Sequence, residues 1–281
     1  MKNASKFGVC TAWYLHMNSD YVTLGAIFEE RCPTMKISKI RFRGRAGWEL
    51  NNDKLRITLL QGGGHIAALV LQDRADVNPL WVPIWKSIEP WAFRPKDKSK
   101  YALRLLAAIS GHNLCLGWFG DPSADEVRAG MECHGEAGLA RWEARVQKRT
   151  SDEVCLVYEC ELPASQMRVA RTATASRGSD VIHVKEEVVS TSVRDMPFTM
   201  CQHVTFGPPF LSRGETVFDM PATRAHTFPG EFSNCQRLRA NRAFTWPKGP
   251  GADGRMVDLR TLGSDKASSD FTTQLIDHRR E

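Results

Sequence analysis

The chain has 281 residues, of which 42% are hydrophobic and 25% charged, with a formal net charge of +6. These are the proportions of a globular protein and exclude a collagen-like, heptad-rod or largely disordered chain. At about 150 residues per domain the length allows one large domain or two ordinary ones, and a core of this size needs no metal or disulfide staples.

No run approaches the 18 apolar residues of a membrane helix, and the short apolar stretch after Lys6 has no small-residue cleavage site. The eight cysteines form no C-x-x-C pair, and most sit in apolar surroundings such as Cys155-Leu-Val-Tyr158. They read as buried free thiols of a reducing, cytoplasmic compartment, with no structural metal.

Residues 1–46 lack a clear period and read as a leader, with residues 47–281 as the folded domain. The leader ends in a basic segment in which Lys39, Arg41, Arg43 and Arg45 would line one face of a strand. A solvated edge explains that stripe, and no nucleic-acid motif accompanies it. From Trp48 the pattern is β. Residues 55–60 and 65–71 flank Gln61-Gly-Gly-Gly64 as a hairpin. Residues 142–148, 154–162, 166–175 and 181–189 follow as alternating strands of an antiparallel meander. Helix is expected only over residues 101–110 and 123–130, the latter with Ser123 as N-cap and Glu126 three positions on. The fold class is therefore all-β, an antiparallel sandwich with a few short helices.

Three constellations could carry chemistry. Cys133-His134-Gly135-Glu136 puts an imidazole and a carboxylate on one side if the segment is extended. Such a pair can move protons or bind a metal. The zinc-deaminase signature that H-x-E opens then needs P-C-x-x-C, which the sequence lacks. Cys201-Gln202-His203, before Gly207-Pro-Pro209, puts a histidine at a strand end. Trp81, Trp85 and Trp91 share a proline-rich loop, where flat aromatic faces could stack on sugar C–H groups or plug the core. Gly111-His112-Asn113 and Phe119-Gly120-Asp121 read as a turn-rich continuation of that surface.

Together these segments resemble the galactose mutarotase-like (aldose 1-epimerase) superfamily. Trp48 through the glycine hairpin to Leu69 resembles its opening hairpin, and Cys133-His134-Gly135 its Leu-His-Gly motif. Gln202-His203 with Phe206 is similar to its Asn-His-x-Tyr-Phe-Asn motif; Gly230-Glu231-Phe232 and Val257-Asp258-Leu259-Arg260 resemble later steps, in order over residues 48–277. The resemblance implies a β-supersandwich that interconverts sugar anomers by acid/base catalysis without a cofactor. It implies His203 as the acid, His134 near the ring oxygen and Asp258 on a hydroxyl; from the aromatic loop, Trp85 is the candidate stacking residue. The family's catalytic glutamate lies in a late Trp-Glu-Glu-Asn-like stretch, which Ile276-Asp-His-Arg-Arg-Glu281 does not supply. Glu136 is then the candidate replacement base, and an open sheet edge is expected. The implied partner is a small-molecule carbohydrate, not a nucleic acid or membrane. A non-catalytic sugar-binding protein and a metal enzyme using His134, Glu136 and His203 are the alternatives.

Overall fold

The computed structural model describes residues 35–231, 233–262, 269–277 and 279. The expected leader up to residue 34, with Cys10 and Cys32, lies outside the described residues, as do Phe232 and most of the C-terminal tail. The described residues divide into two compact units, one up to Pro208 and one from Pro209 onward.

The first unit is a sandwich of two antiparallel sheets. One contains β1 (Lys36–Phe42), β2 (Arg45–Asn51), β3 (Leu55–Leu60), β4 (Ile66–Leu71), β5 (His112–Gly117) and β10 (Thr199–Val204), in that order. The other is a meander of β6 (Glu143–Arg149), β7 (Glu153–Leu162), β8 (Met167–Ser176) and β9 (Ile182–Ser190). The hairpin and the four meander strands lie where the alternation puts them. Inward residues of the two sheets, among them Leu50, Ile57, Leu59, Leu114, Leu156 and Val169, form one core. Each fully buried Leu or Ile contributes roughly 1.5–3 kcal/mol over its exposed state.

The boundary expected at residue 46 falls inside β2. β1 and β2 pair along their whole length, turning at Arg43 and Gly44, which both have positive φ. That turn breaks the expected basic stripe. β1 is a sheet edge and keeps Lys39 and Arg41 partly or fully exposed, but Arg45 is 2% exposed. Its guanidinium donates to the carbonyls of Gly62 and Ala108 and pairs with Glu89.

Helix is as scarce as expected. Residues 101–110 do not form one helix: α1 (Lys98–Tyr101) and α2 (Arg104–Ala108) are separated by Ala102, at φ 62°. α3 (Ala124–Arg128) carries the expected reciprocal cap between Ser123 and Glu126. His112, expected in a turn, opens the interior strand β5.

The second unit has short strands. β11 (Ala222–Thr227) lies between β12 (Ala243–Thr245) and β15 (Thr272–Ile276), and β13 (Lys248–Pro250) pairs with β14 (Met256–Asp258). Leu238 and Trp246 are its large buried side chains, and the Arg237–Asp270 ion pair (2.7 Å) ties residues distant in sequence.

Candidate functional site

Strand β10 is the far edge of the six-stranded sheet, and its two faces differ. Gln202 and Val204 share the core side with His112, Leu114 and Leu116, whereas Cys201 and His203 lie opposite Cys115 and Asn113 on the outer side. The outer face of β5–β10 carries the candidate site.

His134 reaches it from an irregular segment. β4 and β5 are in register only at Ile66↔His112, and further along β5 the chain at Gly135 bridges Leu116 in parallel. A Cβ at Gly135 would lie 2.2 Å from the Leu116 carbonyl oxygen, and φ is 82°, so this position requires glycine. His134 itself has φ 65°. It is clasped from both ends by Gly120, whose carbonyl accepts from the His134 N–H (2.9 Å) and whose N–H donates to Nδ1 (3.1 Å). With Nδ1 accepting, the neutral ring carries its proton on Nε2.

The His134 and His203 rings stack with centroids 5.5 Å apart. Phe119 lies 4.7 Å from the first ring and 6.0 Å from the second. Its turn, Gly117 to Gly120, has positive φ at both glycines and is braced by the Trp118 indole N–H on the Glu132 carbonyl (3.0 Å). Burial lowers the pKa of both histidines, and the neighbouring His203 lowers His134 further. Nδ1 of His203 is buried without a hydrogen-bond partner. Asp121 faces His134 electrostatically and accepts from the Cys133 thiol. The arrangement therefore offers a donor on a fixed tautomer, a second imidazole with an unused nitrogen, an exposed carboxylate and an aromatic face.

Glu136 and Trp85, also expected at the site, are engaged elsewhere in the first unit. The turn conformation at His134 and Gly135 removes the alternation that would have put Glu136 beside His134. Instead the Glu136 carboxylate accepts from the N–H groups of Ala164 (3.1 Å) and Ser165 (2.7 Å), clamping the β7–β8 turn. Trp85 donates to the Leu106 carbonyl (3.1 Å) and packs edge-on to Trp81, so it is a loop plug. Arg141 lies over the Trp91 ring. Asp258 belongs to the second unit, where Arg260 engages both its oxygens and holds it down to about 2. Among the described residues no group of three or more His, Cys, Asp or Glu side chains is placed to hold a metal. A recess of about 960 Å³ lies over the β7–β9 outer face, lined by mixed charges including Glu159, Arg168 and Glu187. It lacks the histidine pair, and the chemistry of the ring cluster outweighs its volume.

Behind β10 runs a buried polar chain that the sequence reading missed. His112 Nε2–H donates to Gln202 (2.6 Å), and Gln202 donates to Glu186, which Arg171 also engages (2.7 Å). Arg171 donates to the Gly64 carbonyl and lies over the Trp142 ring, whose indole N–H meets the Ala137 carbonyl (2.9 Å). Burial would raise the Glu186 carboxyl, but Arg171 and the hydrogen bonds of Gln202 and Arg171 bring it below its ordinary value. Burial and the Arg171 charge lower His112 to about 4. The sequence held one signal: Arg171 and Glu186 interrupt the apolar phase of consecutive strands and are direct cross-strand partners.

No protein-family model and no curated protein matches the chain. It is similar to a solved structure described as "Crystal Structure Analysis of HI1317", at a TM-score of 0.40 and 12% identity, over 82% of this chain and 70% of that one.

Proposed function

We propose that the protein acts on a small carbohydrate by acid/base catalysis of the aldose 1-epimerase type, at the outer face of β5–β10. The observation that carries this reading is the stacked His134–His203 pair, half-buried and flanked by Phe119. The sequence resemblance to mutarotase-like proteins points to the same two histidines.

In this reading the sugar's C–H face lies against Phe119. His203 delivers a proton to the ring oxygen, and the His134 Nε2–H bonds beside it. A base takes the C1 hydroxyl proton, the C1–ring oxygen bond opens, and the aldehyde rotates and recloses on its other face. Asp121 replaces Glu136 as the carboxylate for that step, because Glu136 is committed to backbone N–H groups. Burial places the acid limb of His203 below pH 6.5, so exchange slows as pH rises above that limb.

The test is anomer exchange by saturation-transfer NMR over a panel of aldoses, with wild type beside His203→Ala and Asp121→Asn. Exchange above buffer that falls by about 10²–10⁴-fold in both variants is expected. No acceleration overturns the catalytic reading. Broadening of one sugar's lines without exchange would leave a carbohydrate-binding protein.

A further inference from the structure

The outer face that carries His203 also carries two thiols in direct opposition. Cys201 and Cys115 are cross-strand partners in the β10–β5 register. Directly opposed residues of an antiparallel pair have Cα atoms about 4.5–5.5 Å apart, inside the span of about 4.4–6.8 Å that a disulfide bridges. The Asn113 amide donates to the Cys115 sulfur (3.4 Å). Cys115 is fully buried, whereas Cys201 is half-buried. Of the two, Cys201 is thus the one nearer solvent.

We propose that Cys201 and Cys115 form a peroxide-oxidisable dithiol, with Cys201 as the attacking thiol and Cys115 as the resolving one. The Cys201 thiolate attacks one oxygen of a hydroperoxide. The O–O bond breaks, hydroxide or alkoxide leaves and takes a proton, and Cys201 becomes a sulfenic acid. The Cys115 sulfur then attacks the Cys201 sulfur. The S–O bond breaks, the Cys115 proton leaves with the hydroxyl as water, and the disulfide closes. Two thiols are oxidised by two electrons, and one peroxide is reduced.

The surroundings select this pair. The Cys115 thiol stabilises the Cys201 thiolate and so lowers the Cys201 pKa from that of a free thiol. Burial and Asp121 raise Cys133 to about 12, and burial raises Cys160. Those two thiols are shifted away from the thiolate, whereas Cys201 is shifted toward it. Cys201 lies two residues from His203 on the same face, so the oxidation falls beside the histidine pair.

The experiment treats the folded full chain with hydrogen peroxide, alkylates the remaining thiols and maps them by mass spectrometry. A Cys115–Cys201 disulfide in wild type and in Cys133→Ala is expected. In Cys115→Ser, Cys201 should be trapped as sulfenic acid by a dione probe. Because Cys115 is buried, Cys201→Ser is the second variant, and it should lose at least tenfold of the protein's peroxide reactivity. A disulfide through Cys133, or peroxide reactivity unchanged in Cys201→Ser, overturns the proposal. So does a folded wild type whose Cys115 and Cys201 both stay reduced. The readout is thiol chemistry, so it stands or falls separately from the sugar reaction.

Discussion

Gln202 and His203 are neighbours in β10 and turn to opposite sides of the sheet. The inner residue closes a buried chain that links His112 to Glu186 and Arg171, while the outer one stacks on His134. The contrast separates two uses of polar side chains in one strand. On the inner side polar groups engage each other and join the two sheets. On the outer side they are positioned but left available, as a proton-transfer site requires. Substitutions on the inner side should therefore cost stability, and those on the outer side should cost activity.

The largest break is at the ion pair. Glu186→Gln leaves the Arg171 guanidinium buried without its counter-charge, and chemical denaturation should show a loss of about 3–5 kcal/mol. Arg171→Met with Glu186→Leu should recover most of that loss, because the pair's own desolvation cost disappears with it. Next comes pH. His112 titrates near 6.5 when unfolded and at about 4 when folded, so the unfolded chain binds the extra proton between those values. Stability contributed by keeping His112 neutral is present above pH 6.5 and is lost as pH falls toward about 4, amounting to about 3 kcal/mol. Denaturation midpoints across that range should fall less steeply in His112→Asn.

Glu136 tests which side the third carboxylate serves. If it is a clamp on the β7–β8 turn, Glu136→Gln costs about 1–2 kcal/mol and leaves anomer exchange intact. Loss of exchange without loss of stability would return Glu136 to the catalytic role. The smallest stability effect belongs to His203→Ala. Its denaturation midpoint should move by less than about 1 kcal/mol while exchange is lost, and a larger shift would make His203 structural.

The sequence discloses the regular half of this molecule well. Alternation in β8 and β9 gives their existence, phase and near-final bounds, because each has a wetter and a drier face, whereas β7 reads as a continuous apolar run buried on both faces over residues 154–158. β1 is less legible, since an edge strand rich in lysine and arginine looks the same as a solvated leader. Three of the six described cysteines are only half-buried, among them Cys201 and Cys133. Composition around a thiol cannot reveal which face of a strand it occupies. The site was half legible. His134 and His203 stand out by residue type, and the fold brings them together. Glu136 misleads because parity holds only in extended backbone, and two consecutive positive φ angles reverse it. Phe119 and Asp121 were seen only as turn residues, since nothing local announces that Gly120 will hold His134 at both ends.

The outer strands of the two sheets have a consequence for the protein in a crowded solution. β6, at one margin of the meander, is exposed along nearly its whole length and carries Glu143, Arg145, Lys148 and Arg149. β1 carries Lys36, Lys39 and Arg41 at the margin of the other sheet. A second molecule stacking in register and parallel at either place would bring like charges together across the new ladder. The same basic residues that resemble a nucleic-acid stripe in the sequence thus oppose fibril growth. Salt near 1 M, where screening reaches only about 3 Å, is the condition that would weaken this protection.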